Sequence, residues 1–144
     1  MTTLQQVYDI AIRLMDAQHE TGGHTDTPEN REYLLRTPSL VNSLLDRLYP
    51  LSDTCPGTDG SRPVSPRVYA MDDQLDLDLR VAEGVLPYGL AGLLLSGEDP
   101  ARADFFWQTF LEQCHECRFT LPAGEVAVEE VYGGIGGGNF GRWA

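Results

Sequence analysis

Apolar residues recur at three- and four-residue spacing from the start of the chain. Leu4, Val7, Tyr8, Ala11, Leu14 and Met15 mark one face of an amphipathic helix predicted to run from Leu4 to about His19. Gly22 and Gly23, among small polar residues, break the pattern over 20–26 and read as a loop. Thr27-Pro28 then has the grammar of a helix start: a hydroxyl that can accept an orphan backbone N–H, and a proline whose missing donor costs nothing at the first helical position. The same grammar returns at Thr37-Pro38, followed by an apolar face of Leu40, Val41, Leu44, Leu45 and Leu48. Two helices are therefore expected here, a short one after Pro28 and a longer one after Pro38, ending at Tyr49-Pro50.

Residues 51–67 contain Pro56, Gly57, Gly60, Pro63 and Pro66, which predicts a long middle loop. Val68 to Met71 suits a short strand or more loop. Asp72, Asp73, Asp76 and Asp78 lead into Val81, Val85, Leu86, Tyr88, Leu90, Leu93, Leu94 and Leu95. Apolarity on nearly all sides predicts a buried helix from about Asp78 through Leu95. Pro87 cannot donate to the Glu83 carbonyl, so a kink is expected, with Gly84, Gly89 and Gly92 allowing close approach and Gly97 as the C-cap. Asp99-Pro100 opens a last helix with Ala103, Phe106, Trp107, Phe110, Leu111, Cys114 and Cys117 on a broad face reaching about Arg118, which completes an αα-hairpin. Beyond Phe119, Pro122, Gly124 and a dense set of glycines end helical structure, and Val126-Ala127-Val128 with Val131-Tyr132 could form a short strand. The fold class expected is mainly α: a bundle of about four to five helices with a kinked central helix, a long middle loop and an extended Gly-rich C-terminal arm. The single helical domain is placed at 1–130 and the arm at 131–144.

Composition narrows the function classes. A length of 144 residues fits one domain. The formal charge is −12, and all ten basic residues are arginine. Such a surface repels a phosphate backbone, so specific or non-specific nucleic-acid binding through a basic face is not expected, and an electrostatic partner should be locally positive. Three cysteines and an N-terminus with neither a basic region nor an apolar run suggest a reducing compartment. The longest apolar run, Val85 to Leu95, is interrupted by Pro87, Gly89 and Gly92 and falls short of the roughly 20 residues that span a bilayer, so no membrane partner is expected.

Cys114-His115-Glu116-Cys117 has the spacing of zinc and redox pairs. The remaining metal-ligand candidates, Cys55, His19 and His24, form no second pair, and the motif sits near a helix C-terminus, where the dipole does not lower a thiol pKa. Buried core cysteines are the competing reading. The Asp72–Asp78 acids lack the glycine and closing glutamate of an EF-hand loop and read as a solvated helix entry. The run from Gly133 to Gly141 lacks the Lys-Ser/Thr of a phosphate loop. It reads either as a flexible tail or as an arm whose glycines permit close approach and whose aromatics anchor on a neighbour. No catalytic triad is legible, and no cofactor is expected.

Leu86-Pro87-Tyr88-Gly89-Leu90-Ala91, leading into an acidic turn and Phe105-Phe106-Trp107, resembles small proteins encoded beside capsid and tail genes of tailed phages and prophages. The ending Val131-Tyr132-Gly133-Gly134-Ile135 with Phe140-Gly141-Arg142-Trp143 does so too. The chain thus resembles the head-tail connector, or head-completion adaptor, family. The resemblance spans the whole chain in layout, with its recognisable words in the central helix and the tail. It implies a mostly helical, non-enzymatic protein that assembles as a ring with other copies of itself, contacts portal and tail proteins, and resides in the virion neck or, before assembly, in the host cytoplasm. Tyr132, Ile135, Phe140, Arg142 and Trp143 are the contact residues the resemblance implies. The Cys55-bearing loop and Gly136-Gly137-Gly138 depart from that pattern. Two alternatives stand beside it: a metal or redox protein using Cys114 and Cys117, and an acidic cytoplasmic adaptor or nucleic-acid mimic that occupies a basic partner.

Overall fold

A computed structural model describes residues 1–16, 27–56 and 62–118 of the chain. They are mainly helical, as the periodicity predicts, with α1 at Leu4–Leu14, α2 at Arg31–Leu48, α3 at Leu79–Gly84, α4 at Leu86–Leu95 and α5 at Pro100–Cys117. Single 3-10 turns at Pro28–Asn30 and Tyr49–Leu51 bracket α2. The predicted loop at 20–26, the strand over Val126–Val128 and the arm at 131–144 lie outside the described residues.

The first helix starts where orphan N–H groups find partners. Thr3 and Gln6 form a reciprocal capping box, while Leu4 N donates to the Asp73 carbonyl at 2.9 Å and Gln5 N to the Met71 carbonyl at 2.8 Å. A distant loop thus completes the cap, and an isolated antiparallel bridge between Thr3 and Gln74 holds it in register. The helix ends at Leu14, earlier than predicted, where Asp16 enters the left-handed region at φ 58°. Aspartate tolerates that conformation better than most residues.

One continuous helix replaces the two predicted around Thr37-Pro38. Tyr33, Thr37, Val41, Leu44, Leu45 and Leu48 are all buried along one stripe that runs through the proline. Packing of that stripe outweighs the local cost of Pro38. Thr37, expected as a cap, instead donates from Oγ1 to the Tyr33 carbonyl at 2.7 Å within its own helix. Thr27 likewise makes no side-chain capping bond.

The central helix predicted to bend at Pro87 is two helices. α3 ends and α4 begins at Val85, whose φ of −115° lies off helical geometry, and Pro87 occupies the first turn of α4, where no donor is needed. Burial of Leu86, Leu90, Ala91, Leu94 and Leu95 makes α4 the hub, in contact with α1, α2, α3 and α5. Two of the predicted close approaches are present. A Cβ at Gly92 would lie 3.2 Å from Trp107 N and 3.3 Å from the Ala103 carbonyl, and one at Gly89 would lie 2.9 Å from the Phe110 ring. Gly84 meets nothing within 4 Å, so its predicted role fails, and Ser96 rather than Gly97 is the C-cap of α4. The turn into α5 closes through Glu98 N and Asp99 N, which both donate to the Leu95 carbonyl.

Residues 57–61 of the predicted middle loop lie outside the described residues; 62–67 keep loop structure, as does Val68 to Met71, and are pinned by side chains. Asn42 accepts from Val68 N at 2.9 Å and donates to the Val68 carbonyl at 2.7 Å, while Arg67 reaches Asp46 at 2.7 Å. Val68, Leu75 and Leu77 are buried in the hydrophobic core.

Candidate interaction site

The five predicted contact residues, Tyr132, Ile135, Phe140, Arg142 and Trp143, lie outside the described residues, as do His19 and His24. The body that carries them is described to Arg118.

Cys114 is buried and Cys117 half-buried on α5. Burial pushes the Cys114 thiol up from its ordinary value, with the positive charge of Arg47 pulling partly the other way. That environment favours the neutral thiol, the opposite of what nucleophilic or metal-binding sulfur needs. Among the described residues, no group of three or more His, Cys, Asp or Glu side chains is placed to hold a metal ion.

The acids before α3 are a correction to the sequence reading. Asp73 Oδ2 accepts from the amides of Tyr69 at 2.8 Å and Ala70 at 2.9 Å. Asp76 accepts from the Tyr49 hydroxyl at 3.0 Å. Asp78 caps α3 through Val81 N and also accepts from Asp53 N, both at 2.9 Å. Three of the four carboxylates are therefore structural acceptors that hold turns in place, and only Asp72 is an exposed charge. Aspartate in a run can bond backbone two to four residues away, a signal that charge counting hides.

A feature that the sequence reading missed lies at the turn end of the α4–α5 hairpin. An open cleft of about 260 Å³ has Gly92, Leu93, Ala103 and Trp107 as its floor and Ser96 and Asp104 at its rim. Gly92 and Ala103 create it, because small residues facing each other across a close helix contact leave an apolar depression beside it. Its walls are tied to the rest of the helical body by ring, guanidinium and hydrogen-bond contacts. Trp107 stacks at 5.0 Å from Phe110 and carries the Arg47 guanidinium 5.6 Å from its ring centroid. Arg36 and Ser96 both donate to the Leu93 carbonyl, which closes the last turn of α4. The exposed Asp104 side chain has no hydrogen bond or ion pair among the described residues. The volume falls below the usual 300–1,000 Å³ of small-molecule pockets.

Compared with protein-family models, with curated proteins and with solved structures, the chain matches none. Among the described residues, no helix is long and apolar enough to cross a membrane.

Proposed function

We propose that the chain is a non-enzymatic structural protein of a tailed phage or prophage, a head-tail connector that joins portal to tail as a ring of identical copies. The observation that carries this reading is the place of Leu86-Pro87-Tyr88-Gly89-Leu90-Ala91, the word on which the resemblance rests. It forms the first six residues of α4, the hub that touches four other helices of a mainly helical body. A family of helical adaptors would share such a hub even where surfaces diverge, because core positions are constrained by packing from all sides. The net charge of −12 supports the same role, since an acidic lining keeps passing DNA from adhering. Loops such as 62–75 supply surfaces for portal and tail, and Tyr132, Ile135, Phe140, Arg142 and Trp143 supply an arm to neighbouring copies. The protein works in the virion neck after residence in the host cytoplasm. The test is reconstitution with the portal encoded in the same genome, read by electron microscopy. A ring of this chain beneath the portal is expected; a portal that stays bare at micromolar excess rejects the reading.

A further inference from the structure

The α4–α5 hairpin is directional. The apolar cleft lies at its turn end, and the chain leaves α5 at Cys117, ten residues and about 15 Å of helix beyond Trp107. A heterologous, head-to-tail contact between identical subunits needs two different patches, and the cleft and the segment beyond α5 are two such patches. The sequence supplies a matching donor. In 131–144 the one charged side chain is Arg142, and Phe140 stands two positions before it. In an extended segment, residues two apart project to the same side about 7 Å apart. Phe140 lies 22 residues past Arg118, enough chain to reach roughly 70 Å when extended.

We infer that the α4–α5 cleft is the docking site for the C-terminal segment of a second copy of this chain, with Phe140 seated against Gly92, Leu93, Ala103 and Trp107 and Arg142 paired with Asp104. This rests on the assembly reading above and gives it a specific contact. Charge complementarity sets the choice of occupant. Two bodies of strongly negative charge repel across a flat face. An arm whose charged side chain is a guanidinium can pair with Asp104, the one carboxylate of the lining, only if it approaches from the α5 rim, on the side of the cleft away from the Arg36 and Arg47 guanidiniums that already lie against Leu93 and Trp107. The apolar floor provides the desolvated pocket in which an aromatic anchor contributes most. Gly141, between the two anchors, lets the backbone lie close to the helices.

The experiment uses the full chain and four variants, with self-association followed by sedimentation velocity across protein concentration and folding checked by thermal melting. Asp104→Arg and Arg142→Asp each weaken association by about tenfold or more, equivalent to about 1.4 kcal/mol. An equimolar mixture of the two variants regains it. The guanidinium introduced into the cleft rim of one chain can pair with the carboxylate introduced into the arm of the other, and the native pair survives in the alternate contact. Ser96→Trp, which plugs the cleft from an exposed position, also weakens association. Loss in both charge variants with no recovery on mixing overturns the pairing of Asp104 with Arg142 of a second copy. Undiminished association in Asp104→Arg and Ser96→Trp overturns the cleft as acceptor while leaving the assembly reading intact. A chain lacking residues 131–144 that still associates fully rejects the arm itself. A wild-type chain that is monomeric at every concentration overturns the self-docking without touching portal binding.

Discussion

The α4–α5 hairpin and the 62–78 segment are held by different physics. In the hairpin, two helices approach until backbone meets backbone: Gly92 faces Trp107 N and the Ala103 carbonyl, and the Phe110 ring fills the space that Gly89 leaves. Phe110, Leu90 and Leu94 are fully buried, so stability there comes from apolar area and close packing. The 62–78 segment has no helix or strand and contributes three core residues, Val68, Leu75 and Leu77. It is held by side chains that bond backbone, from Asn42 on Val68 and Asp73 on Tyr69 and Ala70 to Asp78 on Val81 and Asp53. In turn it caps α1 with the carbonyls of Met71 and Asp73. The difference teaches where each region fails: the hairpin to loss of volume, the segment to loss of a single acceptor.

The largest effect should come from emptying the hairpin. Phe110→Ala removes a fully buried ring between α4 and α5 and is expected to cost about 3–5 kcal/mol, read as a lowered midpoint in urea with an unchanged slope. Gly89→Ala attacks the same contact from the other side. Alanine favours a helix by up to about 1 kcal/mol over glycine. The added Cβ, however, would meet Phe110 at 2.9 Å and Leu44 at 3.0 Å. A buried ring edge cannot retreat cheaply, and overpacking costs about 1–3 kcal/mol, so net destabilisation is expected. A more stable Gly89→Ala protein would show that α4 and α5 are less tightly engaged.

In the segment, Asn42 should matter most. It satisfies both the N–H and the carbonyl of Val68, and Val68 is buried. Asn42→Ala leaves both backbone groups without a partner, a loss of about 1–2 kcal/mol. Hydrogen exchange should quicken at Val68 and its neighbours while amides in α4 and α5 keep their protection. Uniform loss across the molecule would mean that the two regions open together and the contrast between them is false.

Apolar periodicity makes the hairpin legible because its spacing in sequence is its spacing in space. Ala103, Phe106, Phe110 and Cys114 mark the buried face of α5 in both. The merger of two expected helices into α2 is hidden by a local rule, since Thr37-Pro38 looks like a start although Tyr33, Thr37, Val41 and Leu45 already trace one continuous face. At Pro87 the same rule understates the outcome: the kink is a full break at Val85. The acidic run is easily misread because sequence shows charge, while what fixes Asp73, Asp76 and Asp78 is which donors the turns bring to them. The cleft is not legible either. Gly92 and Ala103 are individually ordinary helix residues, and only their opposition across the hairpin opens the depression. The predicted contacts from Tyr132 to Trp143 fall beyond the described residues.

Acid should separate the two regions with the smallest perturbation. The hydrogen bond from Arg67, with a further one from the Ser65 amide, holds the Asp46 carboxyl below its ordinary value. The Ala70 and Tyr69 amides do the same for Asp73. Both groups titrate lower folded than unfolded. The stability they contribute is therefore complete above the unfolded carboxylate value of about 4 and is lost as pH falls through the folded values. Tyr33 has the opposite sign. Burial first and its hydrogen bond to Glu98 second push it up to about 12, so its contribution is full below about pH 10 and fades only in strong alkali. As pH falls below about 4, the protection factors of the Tyr69 and Ala70 amides, with the slower intrinsic exchange in acid divided out, should drop before any change in the near-UV signal of Trp107. Asp73→Asn keeps an oxygen that accepts from the same amides but removes the titration, so it should flatten the acid response at those two sites. Equal acid sensitivity in the wild type and Asp73→Asn would show that Asp46 and Arg67, not the Asp73 turn, govern how the segment releases.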